Sequence, residues 1–146
     1  MRPDHYKLMY EFVKWAGGHS HITGIALVGP CADDESEDDS NLSFLLITDK
    51  KQKTVDAILY QFQYEAIEQA TKEEYDLLTS LKIEYASGIE ADFGVADTEW
   101  LHRPLEQGLG DLLVQGFKVI WEQEEMFDDI LRAIARHAVE LENGAL

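Results

Sequence analysis

Carboxylates dominate the residues of this chain that could do chemistry. Six of the seven residues from Asp33 to Asp39 are acids. They lie between a Gly29-Pro30 turn and the run Asn41-Leu42-Ser43-Phe44, which carries none. Hard cations such as Mg2+ take carboxylate oxygens, so Asp38 or Asp39, joined by Asp92, forms a candidate metal site. The competing reading is a solvated acidic loop. An EF-hand is excluded, because the glycine at its sixth position and the glutamate at its twelfth are both missing. His19 and His21 stand two apart and could share a metal, but no third ligand lies near them in sequence, which favours a role in the turn. Cys31, the only cysteine, has acidic neighbours that raise a thiol pKa, so it is expected to be unreactive. Gly108-Leu109-Gly110-Asp111 has backbone freedom suited to phosphate, although lone glycines are common in turns. Trp100 and Trp121 read as packing residues rather than base-stacking platforms.

The elements that must position these groups follow from hydrophobic period. Tyr6, Met9, Tyr10, Val13 and Ala16 recur at helical spacing, with Asp4 as N-cap and Gly17-Gly18 as stop. Residues 22–29 and 41–48 read as strands around the acidic loop, and Val55, Ile58, Leu59 and Phe62 as a helix. Leu81, Ile83 and Tyr85 alternate with Lys82 and Glu84. After a Ser87-Gly88 two-residue turn, Ile89, Ala91, Phe93 and Val95 alternate with Glu90, Asp92 and Gly94, which predicts a hairpin with Asp92 on its open face. A short helix is expected within 105–116, a strand at 117–121, and a helix from Met126 whose stripe is Phe127, Ile130, Leu131, Ile134, Ala138 and Leu141, ending at Asn143-Gly144. The expected fold class is α/β, or α+β in some schemes: a mixed sheet of about five strands with helices on one side. Consecutive strand-strand units exclude a simple doubly wound parallel sheet.

The chain has 146 residues and 45% hydrophobic content, which suits one domain with a substantial core. Its net charge of −17 argues against nucleic acid or an anionic membrane as partner, since both need a cationic footprint. It favours cations or basic partners. One cysteine allows no internal disulfide. The N-terminal residues show no secretion signal and no apolar run reaches the roughly 18 residues of a membrane span, so a cytoplasmic location is expected.

Residues 26–47, "ALVGPCADDESEDDSNLSFLLI", resemble the signature of the nucleotidyltransferase fold. There, a strand runs into Gly-Ser or Gly-Gly, and an Asp-x-Asp opens the next strand about ten residues later. "TSLKIEYASGIEADFGVADTEWL" and "PLEQGLGDLLVQGFKVIWE" resemble the later part of small bacterial nucleotidyltransferase-domain proteins. The resemblance spans roughly residues 22 to 121. It implies one nucleotidyltransferase-like domain over residues 1–146. It also implies chemistry in which a nucleoside monophosphate moves from a triphosphate to an acceptor. Two Mg2+ ions about 4 Å apart neutralise the attacking and leaving oxygens in such transfers.

Carried over residue by residue, the resemblance puts Asn41 and Ser43 at the two Asp positions and Asp92 at the third carboxylate. Gly29 and Pro30 stand in the nucleotide-binding turn. Asn41 and Ser43 share one face of a strand, as alternation requires, but neither carries charge, and Pro30 lacks an N–H. Three functions follow. The first is a catalytically degenerate relative that binds a nucleotide, another small molecule or a partner. The second is an active enzyme (a nucleotidyltransferase of EC 2.7.7 type) using Mg2+ and a nucleoside triphosphate, with ligands moved to Asp38, Asp39 and Asp92. The third is a protein-interaction module with a basic partner.

Overall fold

The computed structural model of the protein describes residues 3–32, 41–75, 77–102, 107–123 and 125–144. In order, these form α1 (Pro3–Ala16), β1 (Ile22–Val28), a 3-10 turn at Gly29–Ala32, β2 (Leu42–Thr48), α2 (Lys51–Tyr60) and β3 (Ile67–Tyr75). Next come β4 (Leu78–Tyr85), β5 (Glu90–Asp97), a 3-10 turn at Thr98–His102, α3 (Gln107–Gln115), β6 (Phe117–Glu122) and α4 (Asp128–Gly144). The strands make one mixed sheet in the order β3-β4-β5-β2-β1-β6. Only β2 and β5 are parallel; every other neighbouring pair is antiparallel.

Alternation along the strands sends two sets of apolar side chains to opposite faces. Ile25 and Leu27 of β1, Phe44 and Leu46 of β2, and Phe93 and Val95 of β5 meet α1 and α2 in one core. Its centre is aromatic. Phe12 of α1 lies 4.9 Å from Phe44, 4.9 Å from Phe93 and 5.1 Å from Phe62, ring centre to ring centre, within the span where aromatic pairs attract beyond simple burial. On the other face Ala26, Val28, Leu45 and Ile47 pack against Leu113 of α3, Phe127 just ahead of α4, and Ile130 of α4. Helices therefore cover both faces, and the expectation of helices on one side is corrected. The two amphipathic helices at the C-terminal end bury their apolar stripes on the sheet face that α1 and α2 leave open.

Among the described residues the sheet has six strands rather than about five. β3 was missed because its nine residues, Ile-Glu-Gln-Ala-Thr-Lys-Glu-Glu-Tyr, are all exposed, so no buried face imposes a period of two on them. Pairing with β4 alone makes them a strand. The helix over residues 3–16 was legible, but its buried face is rotated from the expected one. Leu8, Phe12 and Ala16 enter the core, whereas Tyr6 and Tyr10 are 50% and 66% exposed. Asp4 sits inside the first turn rather than before it. Phe127, just ahead of α4, and Ile130 within it are buried, but Leu131 and Leu141 lie outward. The β4–β5 hairpin has the expected faces and a longer turn. Tyr85 N–H donates to Ile89 (2.9 Å) and Gly88 N–H to Tyr85 (2.8 Å), and Gly88 adopts φ 91°. This is a three-residue loop closed by a left-handed glycine.

Candidate functional site

Ser43 and Asp92 face one another. The parallel register of β2 and β5 pairs Ser43 with Asp92, Leu45 with Gly94 and Ile47 with Ala96, so Ser43 and Asp92 lie on the α3/α4 face of the sheet. The second core is built further along these strands, around Leu45, Ile47 and Ala96. Ser43, Ser80 and Asp92 are left half-buried and Lys82 exposed. The result is a cleft of about 340 Å³, lined by Asn41 and Ser43 ahead of and within β2, Gln69 and Thr71 of β3, and Lys82 and Asp92 of the hairpin. That volume is at the lower end of small-molecule sites. The three residues expected to share a surface, Asn41, Ser43 and Asp92, do so.

Asp92 is the chemically distinctive member. Burial pushes its carboxyl pKa above the ordinary value. A hydrogen bond from Ser80 and the charge of Lys82 act against the rise, and Glu73 adds to it. Ser80 Oγ donates to Asp92 Oδ1 at 3.1 Å, and Lys82 is its register partner on β4. At the mouth, Glu84 and Glu90 stand opposite one another across the hairpin, a pairing of like charges that favours a cation between them.

The floor of the cleft is tied to the turn after β1 by Cys31. Ser43 N–H donates to Cys31 Sγ at 3.3 Å, and the thiol donates to the Val28 carbonyl at 3.3 Å. Cys31 is buried, and burial pushes its thiol pKa up. Burial is thus a cause of the raised thiol pKa beyond the acidic neighbours expected to supply it.

The Gly29-Pro30 turn is committed elsewhere. Gly29, at φ 74°, donates its N–H to the Gly116 carbonyl at 2.9 Å, and Pro30 has no N–H to give. Neither backbone can cradle a triphosphate in this conformation. The contact is close: a Cβ on Gly116 would lie 2.3 Å from the Gly29 oxygen.

The described residues do not by themselves make a two-Mg2+ site. Asn41 and Ser43 are neutral, and among the described residues no three His, Cys, Asp or Glu side chains converge on a common point. Asp38, Asp39 and the rest of the acidic loop lie outside the described residues.

His19 and His21 close the junction of α1 with β1. His19 Nδ1 donates to the Trp15 carbonyl at 3.0 Å, and its ring lies 4.2 Å from the Trp15 ring. His21 Nδ1 contacts Thr54 Oγ1 at 3.0 Å, while its carbonyl accepts from Thr48 Oγ1 at 2.7 Å. Among the described residues no third metal ligand joins them.

Gly110 lies inside α3, where a Cβ would meet the His137 ring at 2.9 Å. Beside it, Asp111 Oδ1 contacts His137 Nε2 at 2.8 Å. The glycine there lets α3 and α4 approach. Trp100 and Trp121 pack against the two cores.

Sequence reasoning missed Gln69, Thr71 and Lys82 as lining residues, and Ser80 as the hydrogen-bond partner of Asp92. Lys82 and Ser80 were within reach, since both alternate with the buried positions of β4. Gln69 and Thr71 were not, because β3 has no hydrophobic period. No protein-family model matches the chain, and no curated protein is significantly similar to it. No helix is long and apolar enough to cross a membrane among the described residues.

Proposed function

We propose that this chain is a nucleotidyltransferase-like domain that has lost nucleotidyl transfer and retains the cleft as a binding site for a small polar ligand. The observation that carries the reading is the pairing of Ser43 with Asp92 on adjacent parallel strands, with Asn41 beside them at one cleft. This is the placement expected of three metal-binding carboxylates, of which only one remains. A single Mg2+ bound to one carboxylate, an amide and a hydroxyl loses most of its anionic ligands. Weakened ligation costs affinity steeply; even outer-shell losses amount to about 10- to 100-fold.

The chemistry left in the cleft suits a neutral or cationic polar molecule. Amide and hydroxyl groups of Asn41, Ser43, Gln69 and Thr71 can exchange hydrogen bonds with it. Asp92, Glu84 and Glu90 supply negative charge, against Lys82, the one cation among the described lining residues. A triphosphate would meet these carboxylates without the backbone donors of Gly29 and Pro30.

A panel of polar fragments, neutral, cationic and anionic, titrated into 15N-labelled protein tests the reading. Shifts clustered at Ser43, Thr71, Lys82 and Asp92, produced by the neutral or cationic members and weakened by Asp92→Asn, are expected. Shifts scattered over the surface, or confined to nucleoside triphosphates with Mg2+, would overturn it. The alternative, an active Mg2+-dependent enzyme with ligands from Asp38 and Asp39, is favoured by one observation. The acidic loop leaves the described chain at Ala32 and re-enters it at Asn41, on the rim of the cleft. Metal-dependent transfer lost in Asp39→Asn would select it.

A further inference from the structure

The two edges of the sheet are β3 and β6, and they differ. β6 is partly covered: five of its six residues are half-buried. β3 is exposed at all nine positions, and one row of its backbone groups faces no neighbouring strand among the described residues. Open edges invite pairing with another chain, and proteins blunt them with shortness, proline, bulges or lysine. β3 is long and contains no proline. Its one irregularity lies at the Ile67 end, between Ile67 and Gln69. Its guard is negative charge: Glu68, Glu73 and Glu74 against Lys72 alone. Behind it Glu84 and Glu90 continue the acidic surface. This pattern repels another copy of a chain that carries −17. It complements a basic strand, whose backbone would satisfy the open row while its cations met glutamates on both faces.

We infer that the outer edge of β3 is a docking strand for an extended, lysine- or arginine-rich segment of a partner protein, which adds a seventh strand to the sheet. Main-chain hydrogen bonds from Ile67 to Tyr75 hold the segment. Glu68 and Glu74, on the face away from the cleft, select its charge. The inference is independent of what the cleft binds.

The probe is a capped nonapeptide of alternating lysine and valine, with two isomers N-methylated on either the odd or the even residues and a glutamate-valine control. With 15N-labelled full chain, the lysine peptide is expected to shift and protect the amides of residues 67–75. One N-methyl isomer should bind as the parent does and the other at least tenfold more weakly, because only alternate amides face the edge. The glutamate peptide should not bind, and 0.5 M salt should weaken the lysine peptide. The double change Glu68→Lys, Glu74→Lys, at exposed positions, should keep the melting temperature and lower affinity about tenfold, or about 1.4 kcal/mol. Equal binding of both N-methyl isomers, shifts that map away from β3, no binding at millimolar peptide, unchanged affinity in the double variant, or dimerisation of the free chain through β3 would each overturn the proposal.

Discussion

Ser43→Asp places a carboxylate opposite Asp92 and exposes the cost of convergence. Neighbouring strands lie about 4.8 Å apart, and the register places residue 43 directly beside Asp92. Two carboxylates about 5 Å apart repel by about 3 kcal/mol at an effective dielectric of 20. Asp92 is only half-buried, so water screens part of this, and about 2 kcal/mol is the working figure. For a chain of this size that lowers Tm by about 4–8 °C. Ser43→Asn, uncharged and of the same size, is the control and should lose much less.

The sign with pH is defined. Burial already holds the Asp92 pKa above its unfolded value, and a second carboxylate raises it further. The penalty is therefore present at neutral pH and disappears as pH falls through the folded-state pKa values. Millimolar Mn2+ or Mg2+ should also restore stability to Ser43→Asp alone, by about 1.4 kcal/mol at ten times Kd. Melting curves at pH 7 and pH 4, with and without metal, give the answer. If Ser43→Asp melts where Ser43→Asn does at pH 7, and metal moves neither, residues 43 and 92 do not converge and the geometric reasoning fails.

Phe12→Ala removes the ring at the centre of the aromatic core and should cost about 3–5 kcal/mol, measured by urea denaturation. Gly110→Ala drives a methyl group into the His137 ring and should destabilise by about 1–3 kcal/mol. The same change made in a His137→Ala background should cost much less, and equal costs would refute the contact. Burial first, then the charges of Lys53 and His19, hold the His21 pKa below its ordinary value, opposed by Asp49. Its contribution to stability is thus complete above the unfolded pKa, about 6.5, and is lost as pH falls below it. His21→Asn should flatten the change in urea midpoint between pH 7.5 and pH 5, and an unchanged profile would refute the assignment.

The cleft was legible because Ser43 and Asp92 each interrupt an apolar run. Leu42 and Phe44 around Ser43, and Ala91 and Phe93 around Asp92, fix which way the intervening side chains point. β3 was illegible for the opposite reason: with both faces in water, its sequence carries no record of its partner. The rotated face of α1 has a related cause. Tyr6 and Tyr10 share a helical stripe as faithfully as Leu8 and Phe12 do, and periodicity alone does not say which stripe meets the sheet. The commitment of the Gly29 N–H to Gly116 joins residues far apart in sequence, and nothing local signals it. Placement of α3 and α4 on the second face likewise depends on how β6 returns beside β1, a choice that no residue in either helix announces.

The central claim is that the cleft persists without the transfer reaction. Its most direct test is incubation of the protein with Mg2+ or Mn2+, α-labelled nucleoside triphosphates, and panels of small-molecule and protein acceptors. Covalently transferred label is then measured for the parent and for Asp92→Asn. Label transfer by the parent no greater than that by Asp92→Asn is the expected result. Transfer well above that background would contradict the claim, and its loss in Asp39→Asn would assign the metal to a carboxylate of the acidic loop.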